Sequence, residues 1–88
     1  MVVSGKIVKG RRTAFNRRAE DACEPGASFH DRLQDCLLRL CHDAGIAAPI
    51  WLKKNTAELA RFRKTSFSAE QFAERVDFDR FEIRIEEP

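Results

Sequence analysis

Segment 28–45, SFHDRLQDCLLRLCHDAG, carries the longest helical pattern of hydrophobic and polar positions in the chain. Its apolar residues recur at steps that keep them on one face of an α-helix. Ser28 stands where an N-cap residue is preferred, and Gly45 stands where a left-handed residue ends a helix. We therefore predict a helix of about 16 residues whose apolar face organises the core. That face comprises Phe29, Leu33, Cys36, Leu37, Leu40, Cys41 and Ala44.

Three other segments predict β-strands. Residues 2–8 are rich in β-branched side chains, and Gly5 within them indicates a bulge or a close contact. Gly10 is the natural turn of a hairpin whose second strand is 12–18, and the arginines of that strand suit an exposed edge. Residues 81–85 alternate strictly between apolar and charged, which is typical of a strand with one buried face.

The remaining segments predict short elements. Residues 46–52 favour an extended segment because Pro49 biases the residue before it away from helix. The N-x-x-E pattern at 55–58 resembles a capping box that opens a helix through about residue 62. The S-x-x-Q pattern at 68–71 predicts a further helix from 69 to about 75, and residues 63–67 fit either a strand or a turn.

Together these elements predict an α+β fold. We expect a small, mainly antiparallel sheet, made of the N-terminal hairpin and the C-terminal strand, packed against one long helix, with two short helices. No strand-helix-strand repeat dominates, which argues against a doubly wound sheet. The 88 residues have room for a single domain. If the C-terminal strand joins the hairpin, Glu82 and Glu86 come near the arginines of residues 11–18.

Charge is distributed along the chain in four alternating blocks. Residues 1–18 carry six basic side chains and no acidic one, and residues 19–50 have a net charge of −4. Residues 51–67 have a net charge of +4 and residues 68–88 of −4, so the whole chain carries only +2. Such blocks either serve a polyanionic partner or neutralise one another across neighbouring strands.

The sequence indicates a cytoplasmic protein with no membrane span. No apolar run approaches the roughly 18 residues of a membrane helix. The start, MVVSGKIVKGRR, places its apolar patch before its charges, which is the wrong order for a signal peptide. Three cysteines in so short a chain make a poor disulfide framework.

Metal and catalytic sites are not favoured. On a helix, Cys36 and Cys41 lie about 140° apart around the axis, and His42 points in a third direction, so the three cannot converge on one ion. We interpret both cysteines as small core residues. No positioned base accompanies a cysteine nucleophile. We therefore predict no metal, no cofactor and no enzymatic activity, with a reactive thiol at Cys23 as the competing hypothesis.

The segment Pro49–Phe67 is the best functional candidate. It interleaves aromatic rings with five basic side chains, which is the combination that a single-stranded nucleic-acid surface uses. The competing interpretation is that its aromatic residues belong to the core and its basic residues form a solvated rim. The candidate binding residues are Trp51, Lys53, Lys54, Arg61, Arg63 and Lys64.

Four stretches also carry a family resemblance. PIWLKKNT, ARFRKTSF, EQF at 70–72 and FDRFEIR at 78–84 resemble a family of small uncharacterised bacterial proteins, chiefly from clostridia and related Gram-positive bacteria. The resemblance spans nearly the whole chain and is loosest at 10–28. It implies a compact bacterial protein of unknown function and carries over no catalytic or binding residue.

These observations favour a non-enzymatic protein-interaction module whose partner is another protein and whose contact patch includes Trp51. The alternative is a nucleic-acid-binding module that uses the basic side chains of 51–67, with or without the arginines of residues 11–18. Oligomeric state is left open by the sequence.

Overall fold

Four strands form one antiparallel sheet in the computed structural model of the protein. The structure describes residues 1–87, and for Glu87 it describes only the backbone. The strands lie in the order β2-β1-β4-β3. The predicted α+β class and antiparallel sheet are confirmed, as is the edge position of the second strand. The strands are β1 (Val2–Lys9), β2 (Arg12–Glu20), β3 (Lys64–Ser68) and β4 (Arg80–Glu87).

Two α-helices accompany the sheet: α1 (Phe29–Ala44), which contacts β1 and β2, and α2 (Lys53–Phe62), which contacts β3. The α1 helix begins as its sequence predicts, because the hydroxyl of Ser28 accepts a hydrogen bond from the Asp31 N–H at 3.1 Å. It ends at Gly45, whose φ of +71° is the left-handed conformation that glycine adopts without strain. None of the helices in residues 1–87 is both long enough and apolar enough to cross a membrane.

The core lies between α1 and one face of the sheet. Leu40 and Cys36 of α1 are fully buried against side chains of the central strands, including Val3 and Phe81. Phe29, which shares the helical stripe and is the first residue of α1, remains 53% exposed. The opposite face is not covered by α1, and the side chains that β4 directs to it, Glu82, Arg84 and Glu86, are charged.

Two predicted helices differ from those observed, the first at its start and the second in its type and length. Asn55 is the third residue of α2, not its cap, and its side chain accepts a hydrogen bond from the N–H of the N-cap residue Leu52 at 2.9 Å. The helix predicted for 69–75 is wrong: a single 3₁₀ turn spans Ala69–Gln71. The chain then extends at Phe72, whose ring packs edge-on against Phe78 at a centroid distance of 5.3 Å.

Two further expectations are resolved by the strand order. Residues 63–67 lie mostly within β3, which occupies the second edge of the sheet. Glu82 does not meet the arginines of 11–18, because β1 separates β4 from β2. Its carboxylate instead contacts Lys6 of β1 at 3.5 Å.

Gly5 is a position at which α1 packs closely on the sheet. A Cβ atom built there would lie 3.1 Å from a methyl carbon of Leu40 and 3.1 Å from the ring of Phe81. The close contact that the sequence suggested is therefore confirmed. The irregularities of β1 lie elsewhere, between Val2 and Val3 on the β4 side and between Ile7 and Val8 on the β2 side.

We predict that Gly5→Val lowers the free energy of unfolding by about 1–3 kcal/mol, because the added atoms overpack the contact with Leu40. Urea unfolding followed by circular dichroism measures the change. Ser4→Val is the matched control: it adds a β-branched side chain to the neighbouring residue, which points to the uncovered face, and should change stability by less than about 0.5 kcal/mol. Equal losses in the two variants would contradict this account of Gly5.

Candidate functional site

A buried polar network fixes the segment that the sequence singled out. At its centre lies the side chain of Asn55, which is 0% exposed. Its amide nitrogen donates to the Thr65 hydroxyl at 2.7 Å and to the Ser66 carbonyl at 3.0 Å. Its amide oxygen accepts from the Leu52 N–H at 2.9 Å and from the Gln71 amide at 3.1 Å. Asn55 thus makes all four hydrogen bonds of which its side chain is capable.

The network extends outward through its two polar neighbours. The Thr65 hydroxyl donates to the Glu58 carboxylate at 2.6 Å. The Gln71 amide also donates to the carbonyl of Ile50 at 3.0 Å, while the Ile50 N–H donates to the Gln71 carbonyl at 2.6 Å. Among the side chains of residues 1–86, no buried nitrogen or oxygen lacks a partner. The network therefore joins α2, β3, the 3₁₀ turn and the segment before α2 into one unit.

This unit places Trp51 at the surface and fixes its ring. The indole N–H donates to the Thr56 hydroxyl at 2.8 Å, and the indole ring lies 5.7 Å from the buried ring of Phe67, measured between centroids. The side chain nevertheless remains 38% exposed. Trp51 is thus neither wholly core nor freely solvated, and its exposed face is held in a single orientation.

That exposed face borders a groove between α1 and α2, which we call the apolar groove. Its floor consists of buried side chains, including Leu37, Leu59 and Ile85. Phe29 and Leu38 of α1, which are 53% and 47% exposed, line it opposite Trp51. Large apolar side chains from two separate elements thus share one concave surface, which is the usual mark of a binding site rather than of scattered surface residues.

Arg63 also lines the apolar groove. Its φ of +59° makes it the one non-glycine residue of the described chain with a left-handed backbone. It ends α2, where its N–H donates to the Leu59 carbonyl at 2.9 Å and where glycine would be free of strain. The guanidinium makes no ion pair with any side chain that the structure describes. Among the described side chains, this cation therefore has no anionic partner at the border of a mainly apolar surface.

The six candidate residues do not share one surface. Trp51 and Arg63 line the apolar groove, while Lys64 lies on the uncovered face of the sheet. The remaining three lie on the outer side of α2. Lys54 donates to the Ser66 carbonyl at 3.4 Å, and the Arg61 guanidinium lies 5.8 Å from the ring centroid of its neighbour Phe62. The outer three are Lys53, Lys54 and Arg61.

The aromatic residues of this segment are likewise separated from one another. Phe67 is 0% exposed and belongs to the core, where its ring stacks at 6.1 Å from that of Phe81. Phe62 is 59% exposed and borders the uncovered face of the sheet, on the side of α2 away from the apolar groove. The interleaving of rings and cations in the sequence is therefore not a single stacking surface in the fold.

Sequence reasoning missed the polar network and several charged residues of the uncovered face. The spacing of Asn55, Thr65 and Gln71 follows no helical or strand period, so no local signal indicates that they meet. For Arg84 the sequence did indicate a side chain on the exposed face of its strand, because Arg84 alternates with the buried residues of β4. Its neighbours across the sheet depend on strand order and register, which the local pattern does not contain.

The cysteines have few of the properties of a nucleophile. Burial raises the pKa of the Cys36 thiol and that of the Cys41 thiol to about 11 each. Burial, followed by the nearby Asp35 and Asp21 carboxylates, also raises the pKa of the Cys23 thiol. No group of three or more His, Cys, Asp or Glu side chains suited to a metal ion occurs in the described part of the chain.

We predict that Asn55→Ala lowers the free energy of unfolding by about 2–4 kcal/mol, because it removes four hydrogen bonds and leaves the Leu52 N–H without a partner. Alanine is the best helix former, so helix propensity cannot cause a loss. Lys53→Ala, an exposed position on the same helix, is the matched control and should stay within about 0.5 kcal/mol. Urea midpoints of the two variants test this, and an unchanged midpoint for Asn55→Ala would contradict it.

We also predict slow thiol chemistry throughout the folded domain. A raised pKa leaves less thiolate at neutral pH, so Cys23 should react with a disulfide reagent more slowly than free cysteine does. Cys36 and Cys41 should react only when the domain unfolds. Mass spectrometry of the labelled peptides resolves the three rates, and labelling in urea serves as the control. Faster labelling of Cys23 than of free cysteine would restore the hypothesis of a catalytic thiol.

Comparison of the chain with protein-family models, with curated proteins and with solved structures finds no match.

Proposed function

We propose that this domain is a non-enzymatic protein-interaction module that holds an apolar segment of a protein partner in the apolar groove. One observation carries the proposal: Phe29, Leu38 and Trp51 remain 53%, 47% and 38% exposed around the same concave surface. Exposing them costs the domain hydrophobic stabilisation that a partner would restore on binding.

The shape of the apolar groove favours a helical ligand. The groove runs between α1 and α2 over buried aliphatic residues, as do the grooves that receive amphipathic helices with anchors at positions i, i+3 or i+4, and i+7. Trp51 is a strong anchor because its indole is already held by Thr56 and Phe67, so binding need not immobilise it.

Arg63 adds a charge requirement to the ligand. Its unpaired guanidinium lines the apolar groove, so a carboxylate on the partner would complete an ion pair there. The left-handed backbone of Arg63 costs roughly 1 kcal/mol relative to glycine. We therefore take the ligand to be an amphipathic helix that carries an acidic residue at one end of its apolar face.

Selection from a random peptide library displayed on phage tests the proposal. The selected peptides should share apolar residues at helical spacing together with at least one Asp or Glu. Leu38→Asp should weaken their binding at least tenfold, because it places a charge on the apolar wall. Ala57→Asp, the same charge change on the outer side of α2, is the matched control and should leave affinity unchanged.

Peptides that bind Leu38→Asp as tightly as the unmodified domain would contradict the proposal. Light scattering tests a different occupant: a dimer that Leu38→Asp converts to a monomer would mean that a second copy fills the groove. Arg63→Gly should raise the urea midpoint while weakening the selected peptides, which separates a role in binding from a role in folding.

A further inference from the structure

A row of basic side chains crosses the uncovered face of the sheet. In the register of the strands, Lys64 of β3 pairs with Arg84 of β4, Arg84 with Ser4 of β1, and Ser4 with Arg18 of β2. All four side chains therefore point to the same face, opposite α1. Since neighbouring strands lie about 4.8 Å apart, the row spans about 14 Å. We call it the basic row.

The cations of the basic row have no internal partners. Lys64, Arg84 and Arg18 make no ion pair with any side chain described in residues 1–86. The nearby Glu82 is engaged elsewhere: it accepts from Arg80 at 2.7 Å and contacts Lys6 at 3.5 Å. The hydrogen bond from Arg80 holds the pKa of Glu82 below its usual range.

Acidic side chains offset most of the positive charge of this face. Glu86 is exposed on the same face, two positions beyond Arg84 along β4, and offsets one charge of the row. Glu58 of α2 lines the same depression, and Glu20 lies two positions beyond Arg18 on β2 and points to this face, so three carboxylates match the three cations of the basic row. Lys6 and Arg80 carry two positive charges against the one negative charge of Glu82, with which both pair, and this leaves the face with a small positive excess.

An aromatic ring stands at the border of this face. Phe62, at the end of α2, is 59% exposed and lines the same depression as Lys64 and Arg84. A large ring exposed beside cations is unfavourable in water but provides a surface on which a base can stack. The neutral polar side chains of Ser4 and Asn16 lie between the cations and can donate further hydrogen bonds.

We propose that the uncovered face of the sheet binds single-stranded nucleic acid, with phosphates on the basic row and a base stacked on Phe62. Reading a duplex requires an element that enters a groove, and this face is an open sheet with no protruding helix. A linear polyanion with exposed bases matches both the row of cations and the adjacent ring. This site is separate from the apolar groove and does not depend on the function proposed for it.

Fluorescence anisotropy with labelled oligo(dT) and oligo(U) of about twenty nucleotides tests the proposal. Three phosphate contacts predict a slope of about −2 for the logarithm of affinity against the logarithm of salt concentration. Affinity should therefore fall about a hundredfold over a tenfold rise in salt. The triple variant Arg18→Ala, Lys64→Ala, Arg84→Ala should abolish most of this slope, and Phe62→Ala should weaken binding about fivefold or more with the slope unchanged.

The matched control is the triple variant Lys53→Ala, Lys54→Ala, Arg61→Ala, which removes the same charge from the outer side of α2 and should retain the slope.

If the first triple variant does not fold, Arg18→Glu at the edge of the sheet replaces it and should weaken binding at least tenfold. No binding at low salt, an equal loss in the control, or equally tight binding of polyglutamate would each overturn the proposal.

Discussion

The hydrogen bonds of the Asn55 side chain are the constraint on which the second half of the structure depends. An amide buried without partners would be strongly unfavourable, so α2, β3 and the 3₁₀ turn must all be in place before the residue can be accommodated. Apolar packing alone is compatible with many arrangements, whereas four directional bonds admit few. This polar centre therefore gives a small region of the chain a unique geometry.

Both proposed surfaces follow from that geometry. The network sets the position of α2 at the edge of β3, with one side of the helix turned toward α1 and the other toward the uncovered face of the sheet. The first side forms the apolar groove with Trp51, and the second presents Phe62 beside Lys64. Two surfaces of opposite character thus lie on the two sides of one ten-residue helix.

The elements with a regular period could be predicted from the sequence, and the contacts between them could not. The stripe and caps of 28–45 specify α1, and the alternation of 81–85 specifies β4, because in both cases the information is local. The S-x-x-Q pattern at 68–71 forms its capping hydrogen bond, from the Ser68 N–H to the Gln71 side-chain oxygen at 3.1 Å, but it opens only one turn because the chain then extends at Phe72 and buries its ring. Tertiary contacts there override the local helix signal.

The grouping of the candidate binding residues likewise could not be predicted from local sequence patterns. Basic and aromatic residues are adjacent in 51–67, but a helix turns successive side chains about 100° apart, so neighbours in sequence face different surroundings. Conversely, Arg18, Lys64 and Arg84 are far apart in sequence and adjacent in space only because β1 and β4 lie between the edge strands. Strand order is a global property, and no window of the sequence contains it.

The two edges of the sheet are protected from pairing with another chain by different physics. At β3, the Asn55 and Lys54 side chains of α2 occupy the Ser66 carbonyl, and the partly buried bond from the neutral Asn55 amide is little affected by ions in solution. At β2, no helix covers the edge, and the nine-residue strand relies on its exposed arginines for mutual repulsion between copies. Dissolved salt screens that repulsion within about 10 Å at 0.1 M. Added salt should therefore weaken the protection of the β2 edge more than that of the β3 edge.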